Sequence, residues 1–144
     1  MPGSPDPFSG PPSPNRVPGP LRSGQAAEAL ALDALHVAKN TEVWRPSEQQ
    51  IGSAAFRAIV GDPRYTGRGL AKGTVLDSTE VGLAEIKSGA SALDSTYQLR
   101  LQTYRSVIEK QPLTIYTNRP IPTPFRRWLD PKGVRVKPLP EPEP

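Results

Sequence analysis

Gly73-Thr-Val-Leu-Asp-Ser-Thr-Glu-Val-Gly-Leu-Ala-Glu-Ile-Lys-Ser-Gly89 is the stretch from which the fold can be read. From Leu83 to Lys87 the side chains alternate with the period of a strand. Leu83, Glu85 and Lys87 therefore share one face, and Ala84 and Ile86 take the other. Ser78-Thr79 and Gly82 are turn formers between Val75-Leu76-Asp77 and that strand, so two short extended segments are expected to fold back on each other. Such a hairpin carries Asp77 toward Glu85 and gathers two carboxylates and one ammonium in one pocket.

Outward from this hairpin the chain reads as helix and strand in alternation. Leu21 to about Lys39 is rich in alanine and leucine, with Ser23 as a cap and Asn40 as a stop, and is expected to be helical. Glu28 stands in line with Leu32 and Leu35 at i+4 and i+7, which sets a carboxylate beside the core-facing stripe. Thr41 to Arg45 reads as a short strand or the start of a loop, and Ile51 to Val60 fits a short helix or a strand equally well. Arg64-Tyr-Thr-Gly-Arg-Gly69 has the composition of a surface loop that holds a phosphate or only connects two elements.

Beyond the hairpin, Asp94-Ser95 can cap a helix from about Thr96 to Lys110, with Tyr97, Leu101, Tyr104 and Ile108 as its apolar face. Gln98, Gln102 and Arg105 form a polar stripe at i, i+4 and i+7 that lies either against the site or in solvent. Leu113 to Thr117 is a strand, and Gly133 to Lys137 a short terminal one. Pro124 to Leu129 suits a short helix or turn with Phe125 and Trp128 inward and Arg126 and Arg127 outward. The expected architecture is α/β, a small mixed sheet flanked by helices.

Composition bounds the rest. Of 144 residues 19 are proline and 35% are apolar, enough for one domain with a modest core. Eight prolines and three glycines fall within residues 1–20, which reads as a disordered linker. The folded part is expected over residues 21–137, and residues 138–144 read as an extended proline-rich tail. The absence of cysteine and the single histidine exclude thiolate and multi-histidine metal sites. No apolar run is long enough to span a bilayer or to form a signal peptide, so no membrane partner is expected.

The net charge of +4 conceals an asymmetry. Tyr97 to Lys137 carries nine lysines and arginines, Arg100, Arg105, Arg119, Arg126 and Arg127 among them, against two acids. This surface suits a polyanion, or serves only solubility. Tyr97, Tyr104, Tyr116, Phe125 and Trp128 either stack on unpaired bases or belong to the core.

Phosphodiester hydrolysis requires neutralised non-bridging oxygens, a deprotonated water and help for the leaving alkoxide. Mg²⁺ held by one or two carboxylates answers these needs. Asp77 and Glu85 fit that role, the Ile86 carbonyl offers a further ligand, and Lys87 can polarise water or stabilise developing charge. A glutamate and lysine two residues apart also occur as an ordinary strand ion pair. The competing expectation is accordingly a non-catalytic basic module that binds nucleic acid or an acidic protein.

Asp77 followed by Glu85-Ile86-Lys87, on a hairpin between two helices, resembles the PD-(D/E)XK restriction-endonuclease-like superfamily. Arg68 to Asp77, Glu85 to Gly89, Thr96 to Arg105 and Ile115 to Pro120 together look like the restriction-endonuclease-fold toxin domains at the C-termini of bacterial polymorphic toxins. The resemblance implies a Mg²⁺- or Mn²⁺-dependent nuclease, with DNA favoured over tRNA as substrate. It also implies delivery as part of a larger toxin, action in the target-cell cytoplasm, and neutralisation by a cognate, acidic immunity protein. Residue by residue, Asp77 and Glu85 match the metal-binding acids, Lys87 the catalytic lysine, and Glu28 the first-helix acid. Gln98 or Gln102 matches the polar residue of the following helix. Leu76 stands where the superfamily name has proline.

Overall fold

A computed structural model describes residues 24–61 and 73–140. The linker over residues 1–20, the Ser23 cap, the loop bearing Arg64 and Arg68 and the last four residues of the tail lie outside them. In chain order the elements are α1 (Gly24–Leu35), α2 (Glu48–Ile51), α3 (Ala54–Ile59), β1 (Leu83–Lys87), α4 (Tyr97–Glu109), β2 (Leu113–Thr117), α5 (Thr123–Leu129), a 3₁₀ turn (Asp130–Lys132) and β3 (Arg135–Lys137).

The three strands form a sheet in the order β1-β2-β3, and both pairings are parallel. Parallel neighbours need a crossover, supplied here by α4 between β1 and β2 and by α5 with its 3₁₀ turn between β2 and β3. The expected mixed sheet is thus corrected to a parallel one. Its antiparallel part shrinks to isolated bridges, Ser78 with Ala84 and Trp44 with Thr74. Gly82, at φ +90°, turns the chain tightly enough for Ser78 and Ala84 to exchange both backbone hydrogen bonds, at 3.2 and 3.0 Å. The second bridge depends on Gly73, because a Cβ there would lie 2.7 Å from the Trp44 carbonyl oxygen and 2.5 Å from a Val43 methyl.

Alternation along the strands sorts the core into layers. Leu83, Leu113 and Ile115 project from one face onto Leu99 of α4 and onto Phe125 and Leu129 of α5. Leu76, the residue before Asp77, joins this cluster as a core anchor. Ile86 projects from the other face onto Ala31 and Leu32 of α1, with Tyr116 and Leu139 packed alongside. Leu139 lies within the expected tail of residues 138–144, and its packing extends the ordered body to at least that residue.

A third cluster joins Phe56 and Val60 to Leu101 and Tyr104, so α2 and α3 cover the outer side of α4. The ambiguous region Ile51 to Val60 is resolved as α3 and the end of α2, each with a serine cap, Ser47 and Ser53. Covered on both sides, α4 buries Gln102 and Thr103 beside its apolar residues. Its cap is Thr96, whose Oγ1 accepts from the Leu99 N–H at 3.2 Å, and not Asp94 or Ser95. Lys110 in the left-handed region and Pro112 end it.

α1 stops at Leu35, four residues before the expected Lys39. His36 adopts φ +58°, its N–H donates to the Asp33 carbonyl, and the Val37 N–H donates to that of Leu32. These two bonds make a Schellman close that reverses the chain. Residues 37–40 then run beside residues 76–80. The Asn40 N–H donates to the Asp77 carbonyl at 2.9 Å, and its side-chain amide donates to the Leu76 carbonyl at 3.0 Å. Nearby, the Ala38 N–H donates to Glu80 Oε1 at 3.1 Å.

Candidate functional site

The open edge of β1 is where these local features converge. The Ser78–Ala84 bridge directs the Ala84 peptide groups outward from the sheet, so the Ile86 N–H and C=O, two residues on, project to the same edge. The Ile86 N–H meets Asp77, donating to Oδ2 at 2.7 Å. Reciprocally, the Asp77 N–H donates to Glu85 Oε1 at 3.3 Å. The two carboxylates are thereby fixed on one strand edge by each other's peptide groups, with the Ile86 carbonyl beside them.

Glu85 is buried, with 6% of its surface exposed, and Lys87 Nζ stands 3.4 Å from its Oε2. Lys87 lies at the more open end of the strand, its side chain 30% exposed. Asp77 is half-buried. Its carboxyl is pushed up to about 7, chiefly by burial and then by the negative charge of Glu85; the Ile86 N–H opposes this, and Glu28 adds to it. The site thus contains more negative charge than its own hydrogen bonds neutralise.

Glu28 on α1 is near enough to act on Asp77, and it forms an ion pair with Lys39. The ammonium of Lys39 is held charged by that hydrogen bond with Glu28, against burial, and by the fields of Asp77 and Glu85. Lys39 is the site residue that the sequence reading missed. No spacing rule links it to Glu85; its place depends on the early close of α1.

The structure uses the remaining candidates differently. Gln102 is buried and donates to Thr74 Oγ1 at 3.0 Å, and Gln98 donates to the Gly73 carbonyl at 3.4 Å. Both amides thus tie α4 to the segment that leads into Asp77. Among the described residues the Gln102 Oε1 finds no hydrogen-bond partner. Arg100 donates to the carbonyls of Val60 and Ser95, and Arg119 to those of Ser91 and Ala92. Arg105 pairs with Glu109 and lies over the Trp44 ring. These three arginines hold loops and helices in place, while Arg126 and Arg127 are exposed on α5. Among the aromatic candidates, Tyr104 and Phe125 are core residues, and Trp128 stacks on Phe125 with Lys132 over its ring.

Among the described residues no group of three or more histidines, cysteines or acids is arranged to hold a metal ion. The candidate donors for a hard cation are the Asp77 and Glu85 carboxylates and the Ile86 carbonyl. That set fits Mg²⁺ or Mn²⁺, which keep several waters, and the mutual repulsion of Asp77 and Glu85 is what a divalent cation would relieve. Among the described residues, no helix is long and apolar enough to cross a membrane. Compared with protein-family models, with curated proteins and with solved structures, the chain has no significant match in any of the three.

Proposed function

We propose that this chain is a metal-dependent phosphodiesterase, a nuclease of the restriction-endonuclease-like kind that serves as the toxin domain of a larger delivered protein. The observation that carries this reading is the Asp77–Glu85 pair, in which the Asp77 N–H donates to Glu85 and the Ile86 N–H donates to Asp77, and in which the Asp77 carboxyl is pushed up to about 7. Support also comes from the placement of a strand edge bearing both acids between α1 and α4, the order that the resemblance implies.

Asp77, Glu85 and the Ile86 carbonyl would hold Mg²⁺ or Mn²⁺. When bound, such an ion supplies positive charge to a phosphate and lowers the pKa of a coordinated water. Lys87 adjoins Glu85 and reaches solvent, so its ammonium can donate to a non-bridging phosphate oxygen as negative charge develops. Burial of Glu85 keeps its carboxylate in one position, and Gln98 and Gln102 fix the segment before Asp77. The Ile86 N–H holds one oxygen of Asp77, which orients the other toward the edge.

Substrate contact is assigned to the exposed cations Arg126, Arg127, Arg135 and Lys137. Arg100, Arg105 and Arg119, partly exposed and engaged in internal bonds, are secondary candidates for that role. DNA is the favoured substrate and tRNA its rival. An acidic immunity protein would compete for exposed cations of this set in the producing cell.

The test is incubation of the protein with plasmid DNA and with total tRNA in EDTA, Mg²⁺ and Mn²⁺, beside a Glu85→Gln control. Metal-dependent loss of one substrate, absent in the control, is the expected result. Absence of cleavage with salt-sensitive binding intact would reassign the chain to a non-catalytic nucleic-acid-binding module.

A further inference from the structure

Asn118-Arg119-Pro120 leaves β2 and turns back onto the segment that leaves β1. The last rung of the β1–β2 pairing is Lys87 with Thr117. Beyond it the Gly89 N–H donates to Asn118 Oδ1 at 3.1 Å, so a side chain prolongs the contact where the two backbones part. Gly89 makes that parting at φ +139°, a conformation that residues with a side chain rarely adopt. The stem of Arg119 passes close over this glycine, its Cδ 3.5 Å from where a Cβ would stand. Its guanidinium then reaches along the loop. Nε donates to the Ser91 carbonyl at 2.8 Å, and Nη2 donates to the Ala92 carbonyl at 2.7 Å and to Ser91 Oγ at 3.3 Å. The Leu93 N–H closes the grip by donating to the Pro120 carbonyl at 2.8 Å, with the Leu93 side chain in the core. The backbone of Arg119 is itself held, since its N–H donates to Oγ1 of the buried Thr117 at 3.0 Å.

We infer that Arg119, together with Asn118, is a positioning residue that acts through Lys87. The inference rests on the nuclease reading above and gives this clamp a part in its chemical step. Lys87 is the last residue of β1, and the end of an element is where pairing opens most readily. Its ammonium is a point charge on a flexible stem, so its placement depends on the backbone that carries it. From two residues beyond Lys87 onward, the clamp ties that backbone to the segment after β2. A guanidinium suits the task because its planar fork spans two successive carbonyls. The partners of Arg119 are carbonyl and hydroxyl oxygens, so the fit depends on the shape of the fork more than on its charge.

The test measures steady-state kcat and KM in Mg²⁺, on plasmid DNA and on total tRNA. Wild type, Arg119→Gln, Arg119→Lys, Asn118→Ala and Lys87→Ala are compared, with Arg119→Gln and Asn118→Ala also placed in the Lys87→Ala background. Each is first checked for fold by circular dichroism and for Mn²⁺ affinity by calorimetry. Arg119→Gln and Arg119→Lys are each expected to lower kcat by about 10–100-fold with KM within about twofold of wild type, the cost of misplacing a reacting group by about 1 Å. Asn118→Ala, which removes only the Gly89 bond, shifts kcat the same way by a smaller factor. In the Lys87→Ala background neither substitution lowers kcat by more than about twofold, because the group they position is gone. Mn²⁺ affinity is unchanged in the Arg119 and Asn118 variants.

A raised KM with kcat kept, or full activity in Arg119→Lys, would make Arg119 a substrate contact and overturn the inference. An equal loss with and without Lys87 would reduce the clamp to loop stability and overturn it as well. Either result leaves the nuclease reading standing. If the Arg119 variants lose the native spectrum, Asn118→Ala decides by the same comparison. No metal-dependent cleavage by wild type would overturn the nuclease reading and the inference together.

Discussion

Replacing Asp77 with Asn should make the metal-free protein more stable, and only above a definite pH. The substitution keeps the volume and an oxygen that accepts from the Ile86 N–H, but removes the ionisable proton. In the folded chain that carboxyl lies near 7, whereas in the unfolded chain it lies near ~3.9. A raised folded value means that the folded state retains a proton which the unfolded state has lost. Native stability therefore falls as pH rises between these values and stays low above about 7. A shift of about 3 units would amount to roughly 4 kcal/mol for a fully desolvated group. Asp77 is only half-buried, so solvent screening reduces this to about 1–2 kcal/mol. For a domain of this size that corresponds to a melting-temperature gain of about 4–8 °C in the variant at pH 8. At pH 4 the gain should nearly vanish, because the carboxyl is then protonated in the folded chain and about half protonated in the unfolded one, so little of the difference between the two states remains. Thermal melts by circular dichroism in EDTA at pH 4, 6 and 8 make the measurement. Mg²⁺ should raise the melting temperature of the native chain and leave the variant unchanged. A variant less stable than the native chain at pH 8, or a gain independent of pH, would refute the electrostatic account of this site.

Lys87→Ala should lower turnover by about 10²–10⁴-fold while leaving Mn²⁺ affinity within about tenfold, since the ammonium neighbours Glu85 without being a ligand. Equal losses in both would remove it from the chemistry. Gly73→Ala should destabilise the fold by about 1–3 kcal/mol, because the new Cβ meets the Trp44 carbonyl oxygen at 2.7 Å; urea denaturation measures it, and an unchanged midpoint would contradict the close approach. Thr96→Ala should cost about 1 kcal/mol through the lost cap on α4. Asp94→Ala should have no comparable effect in the same titration, and a larger loss there than at Thr96 would contradict the capping assignment.

The part of the centre that could be read in the sequence is the part governed by local rules. Period-two alternation places Glu85 beside Lys87, and a turn at Gly82 returns Asp77 to them, so the acid pair and its lysine follow from one short stretch. Lys39 follows from no such rule. Alanine and leucine continue to favour helix up to that residue, and a helix prolonged to Lys39 would carry it onward at about 1.5 Å per residue. The reversal at His36 is decided by tertiary contacts, the Asn40 bonds to residues 76 and 77 among them, and these outweigh helix propensity. The glutamine stripe of α4 illustrates the same limit. Its polarity left the site, the substrate and solvent open, and the structure turns Gln102 to Thr74 and Gln98 to Gly73, in the segment that leads into Asp77. Charge counting fails in a related way. Nine cations give the basic half its sign, but a guanidinium that caps carbonyls, as at Arg100 and Arg119, is committed by geometry to the fold. A claim about polyanion binding therefore has to be carried by Arg126, Arg127, Arg135 and Lys137, where the charge remains exposed.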